Sequence, residues 1–198
     1  MSTQKGLLSS LQAIEEHYSA GDYIFREDAV LQFYYEILAG EVKLNSYKED
    51  GKEFIQDILS ANECFGEAML ILGKPSPVNA VALTACIIRK ISRDQFFQLL
   101  KDQPDVFRHM YESLSAKTSE KMQLISHITS ENADVLLVEL MDRMKDGYPT
   151  REKFSFEVPH TRKQLAALTG LSVETIIREI KKMEKNEILV IRNGKIFY

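Results

Sequence analysis

The stretch Thr161-Arg162-Lys163-Gln164-Leu165-Ala166-Ala167-Leu168-Thr169-Gly170-Leu171-Ser172-Val173-Glu174-Thr175-Ile176-Ile177-Arg178 reads as two helices joined by a glycine turn. Thr161, with Gln164 three residues on, forms a capping box that satisfies orphan backbone donors at a helix start. Leu165, Ala166 and Leu168 give this helix an apolar face, and Ala166 is small enough to admit a neighbouring helix. Gly170 stands where a positive φ ends the helix and turns the chain. Leu171 is an apolar plug, and Ser172 caps the second helix. Ile176, Ile180 and Met183 then recur at spacings of four and three, the inward stripe of that helix. Two short helices about a glycine turn are the pattern of a helix-turn-helix.

The second helix of such a motif enters the DNA major groove, where base edges are distinguishable. Its outward residues Val173, Glu174, Ile177 and Arg178 are the candidate base readers. A carboxylate accepts from the cytosine amino group, a guanidinium reads guanine O6 and N7 bidentately, and an apolar side chain meets the thymine methyl. A purely structural account also exists. Glu174 lies in the first turn, where the helix dipole favours an anion, and Arg178 stands four residues on as its partner. Candidate phosphate contacts are Thr161, Arg162 and Lys163 at the first helix start and Ser172, Thr175, Lys181 and Lys182 on the second. Arg192 and Lys195 complete the set, flanking Asn193-Gly194, a type I′ turn dipeptide between two short apolar runs. That hairpin would be the wing of a winged helix.

Charge distribution agrees. The 198 residues carry a formal net charge of −4, which by itself argues against a polyanion partner. Residues 150–198, however, hold ten Lys/Arg against six Asp/Glu, a net of +4, leaving −8 on residues 1–149. Such asymmetry points to a division of labour, with the basic part facing nucleic acid.

Towards the N-terminus the pattern is β. Tyr23-Ile24-Phe25, Phe33 to Leu38, Val42-Lys43-Leu44, Phe54 to Leu59 and Val78 to Ile91 are short runs rich in β-branched and aromatic residues, separated by Gly- and Pro-bearing turns. Their spacing predicts an antiparallel barrel or sandwich. Leu7 to Tyr18 reads as a short helix before it. Ser92 caps a helix carrying Phe96, Phe97, Leu99 and Leu100, ended near Pro104. A long helix follows over 105–128. Phe107, Tyr111, Leu114, Thr118, Lys121, Ile125 and Ile128 follow alternating four–three spacing, a coiled-coil-like seam with a polar interruption. This seam is expected to pair with a second copy of the chain; the alternative is packing on its own barrel. Another helix spans Ala133 to Lys145.

Taken together, these segments resemble the Crp–Fnr superfamily of bacterial regulators over nearly the whole chain. The fold so implied is α+β: an N-terminal antiparallel β-barrel of the cyclic-nucleotide-binding-like jelly-roll type, a long dimerisation helix and a C-terminal winged helix-turn-helix. The corresponding domains are residues 1–104, 105–128 and 129–198. The stretch from Thr161 to Arg178 resembles the family's helix-turn-helix, in which the Glu-Thr pair and the later Arg form the base-reading core, so those roles fall to Glu174 and Arg178. Val173 replaces a polar reader of the cyclic-AMP receptor branch, and Ile177 a serine of the fumarate–nitrate branch. Neither branch's half-site is therefore carried over whole.

The resemblance also implies an effector pocket. Leu38-Ala39-Gly40-Glu41-Val42-Lys43-Leu44 is similar to the barrel's glycine turn, and Cys64-Phe65-Gly66-Glu67 to the start of its phosphate cassette. The Arg-Ser pair that holds a cyclic phosphate in the family aligns with Ser76-Pro77, so the candidate pocket residues are Gly66, Glu67, Ser76 and Pro77. The arginine is missing, and proline removes a backbone donor. Lys74 is no substitute for a guanidinium fork. No cyclic nucleotide is expected as cofactor. An iron–sulfur cluster held by four thiolates is excluded, since Cys64 and Cys86 are the only cysteines. No metal site is read from the sequence, and the two cysteines read as inert buried thiols.

The expected function is thus a sequence-specific DNA-binding regulator, not an enzyme, acting as a homodimer on a pseudo-palindrome. A catalytic metal barrel needs clustered His and Glu ligands, and residues 22–91 contain no histidine. The alternative is a barrel module whose helix-turn-helix binds protein. Double-stranded DNA and a second copy are the expected partners, with RNA polymerase and an unidentified small-molecule effector left open. No membrane partner is expected: no apolar run approaches the ~20 residues of a membrane span. With no signal-like N-terminus, a cytoplasmic location is expected.

Overall fold

The computed structural model describes residues 12–128, 133–146, 148–150 and 152–198. Two compact units divide the chain at Glu112/Ser113, within its longest helix.

The first unit is built from eight strands: β1 (Ile14–Tyr18), β2 (Tyr23–Phe25), β3 (Phe33–Ala39), β4 (Val42–Tyr47), β5 (Glu53–Leu59), β6 (Cys64–Phe65), β7 (Asn79–Ala82) and β8 (Cys86–Ser92). They form two four-stranded antiparallel sheets, ordered β1-β8-β3-β6 and β2-β7-β4-β5. The described strands thus make a two-sheet roll rather than a closed barrel. Both sheets turn alternate residues into one core, with Tyr35, Ile37, Phe65, Cys86 and Ile88 from one and Val42, Leu59, Ala80 and Ala82 from the other. Phe25, Phe33, Tyr35 and Phe65 cluster there, the Tyr35 and Phe65 rings stacked with centroids 5.0 Å apart. On the opposite face of β3, Tyr34 packs on Phe96 of α2 (Arg93–Asp102), which starts at a Ser92 capping box.

One sequence expectation is corrected here by the structure. Residues 14–18, expected as the end of a helix, are β1; residues 7–11 lie outside the described residues. The strand is held by pairing with β8, where Glu15 meets Arg89 at 2.7 Å and Glu16 meets Lys90 at 2.6 Å. Partners more than seventy positions away override the local pattern. The run Val78 to Ile91 breaks into β7 and β8 about a bend at 83–85. Glu67–Leu72 forms a short helix, α1, entered at Gly66 with φ 91°.

Gly40, between β3 and β4, has φ +89°, and a Cβ there would lie 2.4 Å from the Ala85 carbonyl oxygen. Only glycine satisfies both the left-handed turn and this approach.

The longest helix, α3 (Pro104–Ile128), carries the seam. Phe107 and Tyr111 are 51% and 65% exposed, their rings stacked at 6.5 Å. Leu114 is half-buried and Thr118 exposed, its hydroxyl donating to the Leu114 carbonyl at 2.8 Å. The side chains of Lys121, Ile125 and Ile128 lie outside the described residues.

The second unit holds α4 (Ala133–Lys145), α5 (Arg162–Thr169), α6 (Val173–Lys185) and the hairpin β9 (Val190–Arg192) and β10 (Lys195–Phe197). Leu137, Met141, Leu165, Ile176, Ile180, Leu189 and Ile196 form its core. Residues 156–158 bond to β10 from the other side, Val158 N–H donating to the Ile196 carbonyl at 2.9 Å. Asn193 and Gly194 have φ 52° and 79°, the two positive values a type I′ turn requires.

Candidate nucleic-acid interface

The two helix starts of the motif are set by local chemistry. Thr161 accepts from the Gln164 N–H while Gln164 reaches back to the Thr161 N–H, closing the capping box. Gly170 takes φ 72°, and Ser172 caps α6 by accepting from the Thr175 N–H at 3.1 Å, with the Ser172 and Thr175 hydroxyls also 3.1 Å apart. The hydroxyls of Thr161, Ser172 and Thr175 therefore orient the helices themselves.

On α6 the inward stripe is Ile176, Ile180 and Met183, all buried. Glu174, Ile177 and Arg178 lie on the exposed face, Ile177 being 37% exposed. Val173, expected outward, is half-buried and packs against the core. The first turn of α6 brings it round beside the inward stripe.

The cations divide into two kinds. Lys163 and Lys181 are exposed. Others are engaged within the unit: Arg162 donates from Nη1 to the Gly194 carbonyl at 3.0 Å, and Lys195 pairs with Glu157 at 2.5 Å. The Arg192 guanidinium lies 5.2 Å from the Phe197 ring centroid. Lys182 pairs with Asp134 of α4 at 3.0 Å and with Glu179 at 3.4 Å. The bond to Lys182 holds the Asp134 carboxyl below its usual range, and Asp134 raises Lys182 in return.

Glu179 and Asp134 were not singled out from sequence. Glu179 sits three residues after Ile176 and one before Ile180, inside the buried stripe, and a carboxylate at such a position is the one signal the sequence offered. Its Oε1 accepts from Arg178 Nε at 3.2 Å.

In the roll, the cassette corresponding to a cyclic-phosphate site is occupied by its own bonds. Buried Ser76 donates its hydroxyl to the Val78 carbonyl at 2.8 Å and accepts there from the Val78 N–H at 3.3 Å. Its N–H donates to the Ala29 carbonyl at 2.9 Å, and its carbonyl accepts from the Asp28 N–H at 2.8 Å. Pro77 has no N–H to offer. A Cβ on Gly66 would meet the Tyr35 ring at 3.1 Å, so the corner is closed on the aromatic cluster. Ser76 and Pro77 thus leave no donor of their own free for an anion. No group of three or more His, Cys, Asp or Glu able to hold a metal occurs among the described residues. No helix among them is long and apolar enough to cross a membrane.

A two-sheet roll followed by a winged helix-turn-helix is the two-part architecture of a DNA-binding regulator. Residues 15–103 match the cyclic nucleotide-binding domain, and residues 135–197 match the Crp-like helix-turn-helix domain. The chain is 26% identical over 165 residues to the cAMP-activated global transcriptional regulator CRP of Haemophilus influenzae, covering 82% of this chain and 73% of that one. It is 22% identical over 182 residues to the nitrogen fixation regulation protein FixK of Bradyrhizobium diazoefficiens, covering 91% and 76%. Its fold matches the c-di-GMP-responsive global regulator CLP of Xanthomonas campestris with a TM-score of 0.80 at 20% identity, over 98% of each chain. With both domains present in this order, the chain belongs to the Crp–Fnr superfamily of DNA-binding transcription regulators.

Proposed function

We propose that the protein acts as a cytoplasmic homodimer that reads a pseudo-palindromic operator and does so without a cyclic nucleotide. The observation that carries the DNA reading is the exposed face of α6, where Glu174, Ile177, Arg178 and Lys181 are all exposed, with Lys163 exposed at the start of α5. Glu174 and Arg178 contact bases, Ile177 meets a thymine methyl, and Val173 contributes from the edge of the face. Thr161, Arg162, Lys163, Ser172, Thr175, Lys181, Arg192 and Lys195 surround them as phosphate contacts. Paired through the Phe107 and Tyr111 face of α3, two copies present recognition helices to successive major grooves ~34 Å apart. RNA polymerase is the downstream partner this reading implies.

Nucleotide independence is supported by the Ser76-Pro77 cassette, whose donors are spent internally and which lacks a cation. Selection of bound DNA from a random pool, with and without cyclic AMP or cyclic GMP, tests both parts. A palindrome enriched without nucleotide, and unchanged on adding it, is expected. Enrichment only with nucleotide overturns the independence. No enrichment, together with binding that ignores salt, favours a protein-binding role for the helix-turn-helix.

A further inference from the structure

Glu179 has no role in the contacts so far assigned. It is only 8% exposed, it lies within the apolar stripe Ile176, Ile180 and Met183, and it sits on the helix proposed to enter the groove. Neither ordinary use of a surface acid explains it. A carboxylate on a DNA-facing helix repels the phosphates, and an apolar side chain would pack with the stripe at no desolvation cost.

Its bonds supply a reason. One oxygen, Oε1, accepts from Arg178 Nε at 3.2 Å, and the other, Oε2, accepts from Lys182 Nζ at 3.4 Å. Lys182 in turn donates to Asp134 Oδ2 on α4 at 3.0 Å. The carboxylate is thus fixed from both sides and anchored through Lys182 to a second helix of the same core. Arg178 is 71% exposed along its side chain, so burial does little to restrain the guanidinium. A guanidinium reads guanine through a fork of two parallel N–H groups, and Nε is a donor that the Nη1–Nη2 fork leaves spare.

We infer that Glu179 is a positioning residue for base recognition, holding Arg178 by its Nε edge so that the Nη fork is presented to the base. Lys182 then serves the same bracket, between Glu179 and Asp134, and is withdrawn from the set of phosphate contacts. The inference rests on the base-reading role proposed for Arg178. Preorganisation of this kind raises discrimination, because the ordering of a long side chain is completed before binding.

The test compares Glu179→Leu and Glu179→Gln in the full-length protein, using the selected operator and a scrambled duplex. Both variants remove one negative charge, so both bind the scrambled duplex at least as tightly as the parent. Only Gln keeps an acceptor for Arg178 Nε. The operator-to-scrambled affinity ratio is expected to fall about fivefold or more in Glu179→Leu, with the loss confined to the base pair that Arg178→Ala relaxes. It stays within about twofold of the parent in Glu179→Gln. In the Arg178→Ala background, Glu179→Leu has no further effect on the ratio. Thermal unfolding no lower than the parent's in Glu179→Leu separates positioning from folding, as the freed Arg178 and Lys182 are solvated. A ratio unchanged in Glu179→Leu overturns the inference alone, as does a loss that persists without Arg178. A parent protein that enriches no sequence removes the base-reading premise, and this inference with it.

Discussion

Arg162, the first residue of α5, donates from Nη1 to the carbonyl of Gly194 at the hairpin tip, 3.0 Å away. The helix-turn-helix and the hairpin are therefore fastened to each other at this point. Glu184 near the end of α6 provides a second fastening by accepting from the Ile191 N–H at 3.1 Å. If Arg162 holds the wing, then Arg162→Ala weakens binding to operator and scrambled DNA alike, and the loss from Arg192→Ala shrinks in its presence. A double-mutant cycle read by titration should give a coupling of about 0.5 kcal/mol or more. Strict additivity would mean that the two arginines contact phosphate independently.

Arg178 and Lys181 share a helix but differ in their expected signature. Arg178→Ala costs about 1–3 kcal/mol on the selected operator and relaxes preference at one base pair. Lys181→Ala weakens every sequence evenly and reduces the salt slope by about one. Competition against single-position operator variants at several salt concentrations separates the two. Equal loss across sequences for Arg178→Ala would assign it to the backbone.

Two glycines give an internal control on stability. Gly40→Ala places a Cβ at φ +89°, 2.4 Å from the Ala85 carbonyl and 2.7 Å from Cys86 Sγ, so strain and collision add. A loss of about 3 kcal/mol is expected. Gly51→Ala has φ +78° with nothing within 4 Å, leaving backbone strain of about 1 kcal/mol. Denaturant midpoints of the two variants measure the difference. A Gly40→Ala no worse than Gly51→Ala would show that the 83–85 bend yields.

The helix-turn-helix was legible because its signals are local. Thr161, Gly170 and Ser172 each act within three or four residues, and each takes the cap or the positive φ its chemistry suggests. The helix after the roll was legible for a related reason, since Ser92 caps α2 together with Gln95 three residues on. What failed depends on distance. The strand β1 looks helical until Arg89 and Lys90 are placed beside Glu15 and Glu16. Val173 looks fully exposed until the core of the second unit is seen packed against one side of it. Glu179 looks like one more surface charge until Lys182 is seen bridging it to Asp134 on α4. For β1 and Val173 the deciding partners lie on other elements, where no local pattern reports them; for Glu179 the stripe reports the burial but not the bridge to Asp134.

The roll interior gives an expectation for alkaline pH. Burial pushes the Tyr35 hydroxyl up to about 12, helped by the Glu16 carboxylate, and burial with the Asp142 hydrogen bond does the same for Tyr198 in the other unit. Burial and Glu16 raise Tyr18 further. The folded-state values lie above the unfolded value of 10.0, so the folded chain holds more protons than the unfolded one across this interval. Stability from these groups is fully present below pH 10 and declines as pH rises towards about 12. Denaturation at a series of alkaline pH values should show that decline, and Tyr35→Phe should make it shallower. A slope untouched by Tyr35→Phe would show that the hydroxyl titrates normally.

The exposed pair on α3 bears on assembly. Phe107 and Tyr111 stack on each other with more than half of each side exposed, on a helix whose Thr118 satisfies its own hydroxyl within the turn. Two exposed aromatic rings on one helix face are a ready contact for the same rings of a second copy. Replacing both with Asp removes that contact, yet neither ring is buried, so the unfolding free energy should stay within about 0.5 kcal/mol. The doubly substituted protein should sediment as a monomer and lose tight operator binding, because a single half-site forfeits the linked second contact. Residual binding to random DNA should persist, since each winged helix keeps its own cations. A dimer that survives both substitutions would place the two-fold contact elsewhere on the chain.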